Sequence, residues 1–82
     1  MSHRAEIHRF VQDLLIQAGD KQQLTDASSL LLSGRLQSVD AVEIVLFLEE
    51  KFSIDFSRIG FDQEKIDSIE AIDTLIQNIA AN

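Results

Sequence analysis

The sequence predicts an all-α fold, a small bundle of three main helices plus one short helix, and three observations carry that expectation. Apolar residues recur at helical spacing in three separated segments. The three glycines, Gly19, Gly34 and Gly60, punctuate a chain without proline. The alternating stretch Phe52-Ser53-Ile54-Asp55-Phe56 is the one strand-like pattern, and a single short strand has nothing to pair with. A length of 82 residues sets the expectation of one domain over residues 1–82.

The first helix is expected at about residues 3 to 18. Ile7, Phe10, Val11, Leu14, Leu15 and Ala18 share its apolar stripe, and Gly19 stops it by taking a left-handed conformation. Residues 20–37 show no sustained period. Asp26, Ser28, Ser29, Ser33 and Gly34 are turn and cap residues, interleaved with Leu30, Leu31, Leu32 and Leu36. A loop so long inside a small domain is usually structured or functional, and its leucines suggest that it packs on the bundle. The second helix is expected from Ser38 to Phe52, with Val42, Val45, Leu48 and Phe52 as its core stripe. Val39, Leu46 and Phe47 fall partly outside that stripe, so this helix is either central or presents an apolar patch. A short helical turn fits Arg58–Glu64. The last helix starts near Asp67 or Ser68, with Asp67 as cap and Glu70 as its reciprocal partner. Ile69, Ile72, Leu75, Ile76 and Ile79 supply its buried face.

Composition excludes several function classes. The chain has no cysteine, hence no disulfide, no thiolate metal site and no thiol nucleophile of its own. Fourteen acidic side chains against seven basic ones argue against a nucleic-acid partner and favour partners with basic faces. The longest apolar run, Ile44-Val45-Leu46-Phe47-Leu48, is far short of the roughly 20 residues that span a bilayer. The N-terminus has no apolar signal core, so a cytoplasmic location without membrane insertion is expected. Met1 runs directly into the first helix and the chain ends just after the last, which favours a free-standing protein over an excised module; a monomer is expected. No catalytic set of nucleophile, acid and base is visible, and His3 and His8 lack the one-turn spacing of paired helical ligands, so no metal site is expected.

The informative segment is Ser33-Gly34-Arg35-Leu36-Gln37-Ser38-Val39-Asp40, running into the second helix. A serine at a loop-to-helix junction exposes a hydroxyl beside free backbone N–H groups, a setting that favours an anionic group such as phosphate. The residues alone leave two readings open. Ser38 is either a structural N-cap, with Asp40 and Glu43 complementing the helix dipole, or a modification site.

The run Ser38-Val39-Asp40-Ala41-Val42-Glu43-Ile44-Val45, followed by Leu48-Glu49-Glu50-Lys51-Phe52, resembles the recognition helix of the acyl carrier protein family. That family's signature is Asp-Ser-Leu at the start of the second helix. Ser53-Ile54-Asp55-Phe56 is similar to the segment that follows, and Ile66-Asp67-Ser68-Ile69-Glu70-Ala71-Ile72 to the start of the family's last helix. The likeness covers nearly the whole chain. It implies an acyl-carrier-like bundle in which 4'-phosphopantetheine is attached covalently to Ser38 and holds an acyl group as a thioester. Two positions depart from the signature: Gln37 stands for aspartate and Val39 for leucine. Gln37 lacks the charge of a Mg²⁺-binding carboxylate, which makes slow modification, or an unmodified adaptor with the same fold, the alternative.

The resemblance further implies a carrier and not an enzyme. Its partners would be a phosphopantetheinyl transferase and acyl-processing enzymes of fatty-acid, lipid or polyketide synthesis. Gln37, Val39, Asp40, Glu43, Leu46, Glu49 and Glu50 would form the partner surface, acids meeting basic side chains and Val39 and Leu46 giving apolar contact. Lys51 interrupts the acidic run where the family often has another acid, and Phe47 is bulkier than the family usually has there. Val45, Leu48, Phe52, Ile59 and Ile76 are candidates to line a space for the acyl chain, or are simply core.

Overall fold

The computed structural model describes residues 3–80. Four α-helices follow in order: α1 Arg4–Gln17, α2 Ser38–Phe52, α3 Phe56–Ile59 and α4 Ile69–Ala80, with a 3₁₀ turn at Gln63–Ile66. No strand occurs among the described residues, so the all-α bundle of three main helices stands. The short element is not one turn over 58–64. It is two turns, α3 and the 3₁₀ turn, split at Gly60, whose φ of 81° breaks the helical path.

Helix α1 buries Ile7, Val11, Leu14 and Leu15. Ala18, expected on that face, is exposed because the helix already closes there. Gly19 (φ 82°) turns the chain so that its N–H reaches the Ile16 carbonyl and the Asp20 N–H that of Leu15, a Schellman closure. Helix α4 packs on α1 and on the 3₁₀ turn, burying Ile69, Ile72, Leu75 and Ile76. Its cap is Ser68, whose Oγ accepts the Ala71 N–H at 3.0 Å. Asp67 does not cap α4 as expected. Its carboxylate faces the other way, accepting the Ser29 hydroxyl (2.6 Å) and the N–H groups of Leu31 and Leu32 (2.7 and 2.8 Å).

That contact explains how residues 20–37 stay ordered without regular structure. Leu30, Leu31 and Leu36 are buried in the common core, while Leu32 stays in solvent. Arg35 clamps the other end, pairing with Asp20 at 2.9 Å and donating to the carbonyls of Gln22 and Gln23.

Helix α2 corrects the expected stripe. Its buried residues are Ala41, Ile44 and Leu48. Val42 is exposed, and Val45 and Phe52 are half-buried. The buried stripe therefore runs through Ala41, Ile44 and Leu48, not through Val42. Phe47 adds no exposed patch: its ring stacks on Phe10 (centroids 4.1 Å apart) and meets Phe52, which in turn meets His3.

Candidate functional site

Ser38 is placed by what precedes it. Leu36 is buried and its N–H bonds the Leu30 carbonyl at 2.8 Å, which fixes the end of the loop against the core. Gln37 then takes an extended conformation (ψ 179°) and becomes the N-cap of α2. Its N–H donates to the Asp40 carboxylate at 3.0 Å, and its carbonyl accepts the N–H groups of Asp40 and Ala41. The capping reading of Ser38 is thereby overturned. Ser38 is the first helical residue, exposed, and its hydroxyl makes no hydrogen bond to any described residue. The N–H groups of Ser38 and Val39 likewise have no acceptor among the described residues, as expected for the first turn of a helix.

An apolar groove of about 440 Å³ begins at this serine. Ala41, Val42, Val45 and Leu46 form its α2 wall, and Phe56, Phe61 and Gln63 form the opposite one. Of the residues expected in the core, Val42 faces this groove instead, while Val45 packs against the core and also lines the groove. Of the five residues considered for an acyl-lining role, only Val45 lines it. Leu48 and Ile76 are packed in the core, Phe52 belongs to the aromatic cluster, and Ile59 lies on the far side of α3. The groove's outer wall was not anticipated. The two aromatic residues Phe56 and Phe61, bracketing Gly60, were the available signal.

Beyond Ser38, α2 presents one continuous solvent face. Val39 and Leu46 are 67% and 51% exposed. Glu43, Glu49 and Glu50 lie in solvent beside them, and none has an ion-pair partner among the described residues. Gln37 is exposed at the head of this face. Asp40 differs: it is half-buried, and its carboxylate is engaged by the Gln37 N–H. The structure thus brings Gln37, Ser38, Val39, Glu43, Leu46, Glu49 and Glu50 onto one surface and gives Asp40 a capping task.

The charged groups with displaced titration lie away from this surface. Asp73, 1% exposed, accepts from Arg4 Nε (2.9 Å), Gln77 Nε2 (2.9 Å) and the His3 N–H (3.4 Å). Burial pushes its carboxyl up, but these donors outweigh burial and hold it below the usual carboxylate range. Asp67 shows the same balance, burial against Ser29 and the Leu30–Leu32 amides, and also ends low. Both serve the fold. No cluster of three or more metal-binding side chains occurs among the described residues. No described helix is long and apolar enough to cross a membrane.

No protein-family model matches this chain. No solved structure matches it either. The class defined by fold and site is therefore a small all-α bundle with an exposed serine at a helix start, an apolar groove beside it and an acidic helical face.

Proposed function

We propose that this protein is an acyl carrier, cytoplasmic and monomeric, that receives 4'-phosphopantetheine on Ser38 and presents an acyl group to biosynthetic enzymes. The observation that carries the reading is the state of Ser38: an exposed hydroxyl with no hydrogen-bond partner among the described residues, opening onto an apolar groove. A transferase would form the bond between Ser38 Oγ and the β-phosphorus of coenzyme A. The P–O bond to adenosine 3',5'-bisphosphate breaks, and the hydroxyl proton passes to the transferase. The bound arm would supply the thiol that the cysteine-free chain lacks.

The residues fit such a group. The free N–H groups of Ser38 and Val39 suit a phosphodiester at a helix start. The groove, with Ser38 and Gln63 its only polar residues, suits an aliphatic cargo of fatty-acid, lipid or polyketide type. The face of Val39, Glu43, Leu46, Glu49 and Glu50 suits a transferase and acyl-processing enzymes with basic surfaces, where charge sets encounter rate and selectivity.

A second reading is favoured by one observation. Gln37 is neutral, and one oxygen of the Asp40 carboxylate is engaged by the Gln37 N–H, so the residue before Ser38 offers no carboxylate to hold Mg²⁺. An unmodified adaptor of the same fold would have these features. Incubation with coenzyme A and broad-specificity transferases, followed by intact-mass analysis, separates the two. The carrier reading expects one phosphopantetheine adduct on the native chain and none on Ser38→Ala. No adduct with several transferases leaves the adaptor.

A further inference from the structure

A second groove lies on the opposite side of the 56–63 segment and shares no lining residue with the groove at Ser38. It holds about 680 Å³ and is bounded by Ile59, the 3₁₀ turn and the outer face of α4. Its floor includes Ala71, Leu75 and Ile79, successive residues four apart along α4. Leu75 is already packed in the core and Ala71 and Ile79 are half-buried, so this row offers a partner helix only its outer edges, with the exposed Ile59 opposite. The 12 residues of α4 run for about 18 Å, enough for a partner helix of three turns.

Charge selects the occupant. Asp62, Glu64 and Glu70 line the groove against one base, Lys65. All four are exposed, and none has an ion-pair partner among the described residues. An apolar strip with an acidic margin matches an amphipathic helix whose polar edges are lysine or arginine. An anionic lipid surface is disfavoured by the same carboxylates and by the net charge of −7.

We propose that this groove docks a cationic amphipathic helix of a partner protein, leaving Ser38 and its groove open while that partner is bound. The inference does not depend on modification of Ser38.

The probe is a 16-residue leucine/lysine helix with one apolar face (about four and a half turns), compared with its leucine/glutamate counterpart. Amide shifts in the NMR spectrum of the full chain should move at residues 59–65 and 70–79, with the lysine peptide only. Glu64→Lys with Glu70→Lys should weaken binding at least about tenfold, which is about 1.4 kcal/mol. Glu43→Lys with Glu50→Lys on α2 changes the net charge equally and should weaken it less than about threefold, as expected of screened, distant charge. Ile59→Asp, at an exposed floor position, should also weaken it, with circular dichroism verifying the fold. Ser38→Ala should leave binding unchanged, which separates this proposal from the carrier reading. Equal loss from both charge-reversal pairs, shifts centred on α2, dependence on Ser38, binding of the glutamate peptide, preference for phosphatidylglycerol vesicles or no binding at all would each overturn it.

Discussion

Asp73 is a carboxylate taken almost wholly out of water, and its three donors come from both ends of the chain: His3 and Arg4 at the start of α1, Gln77 within α4. Arg4 also reaches Asp26 at 3.0 Å, so one guanidinium joins α1, the loop and α4. A carboxyl held below its unfolded value of about 3.9 stabilises the fold fully above that value. Its contribution is lost as pH falls through the lower, folded pKa. Asp73→Asn should therefore unfold more easily at neutral pH, by about 1–3 kcal/mol, since a charged acceptor becomes a poorer one. It should also lose less stability than the parent on acidification below about pH 4. Urea unfolding at neutral pH and in acid measures both, and parallel acid limbs would show that Asp73 does not set the acid response. Asp67, held low by Ser29 and the loop amides, acts with the same sign and keeps part of the limb in the variant. At Gln37 the expected gain is in rate. Gln37→Asp restores a carboxylate beside the serine, so under the carrier reading transferase turnover rises several-fold with Mg²⁺ present. Residue 37 is the N-cap of α2 and aspartate is a better cap than glutamine, so thermal stability should hold or rise, by up to about 1 kcal/mol.

At the level of elements, α2 explains why part of the site was legible and part was not. Its extent, Ser38–Phe52, follows from the apolar run and the change in composition at Gly34–Gln37. Its rotation does not follow, because apolar residues occur nearly all round it. Two stripes compete: Val42-Val45-Leu48-Phe52 and Ala41-Ile44-Leu48. Packing chose the second, and the residues left over, Val39, Val42 and Leu46, became the exposed face and groove wall. The long loop was readable as packed from its leucines. Its clip, Asp67, was not, since the contact with Ser29 joins residues 38 apart. The end of α2 carries a separate prediction. Ser53 is a non-glycine residue in the left-handed region (φ 55°, ψ 35°), exposed, with no side-chain hydrogen bond among the described residues. Ser53→Gly removes the Cβ clash and should stabilise the protein by about 0.5–1 kcal/mol after glycine's own entropy cost. Denaturation midpoints measure this, and a loss of stability would mean that the conformation is not strained. Leu30→Ala, at a wholly buried loop position, should cost about 2–5 kcal/mol, which tests whether the loop belongs to the cooperative core.

Across the whole molecule, the net charge of −7 opposes folding. Fourteen acidic and seven basic side chains share a body with a radius of gyration of 11.9 Å, so many like charges lie near one Debye length of each other. The favourable pairs seen among the described residues are few: Arg4 with Asp26 and Asp73, and Arg35 with Asp20. Of these, the Arg35 pair and the Arg4–Asp73 contact have partly or wholly buried members, which salt screens weakly. The unpaired acids of α2 and of the 59–65 segment are exposed, and salt screens them well. Raising NaCl from low to near-physiological concentration should therefore remove more repulsion than attraction. A domain of this size gains about 4–8 °C in Tm for each kcal/mol, so a rise of several degrees is expected, with the slope levelling once screening is complete. Glu49→Lys, which relieves repulsion on α2 without touching a hydrogen bond, should raise Tm in low salt and shrink the salt response together. A Tm that falls on adding salt would show instead that the three ion pairs govern the balance, and the acidic face would then carry no stability cost for partners with basic surfaces to relieve.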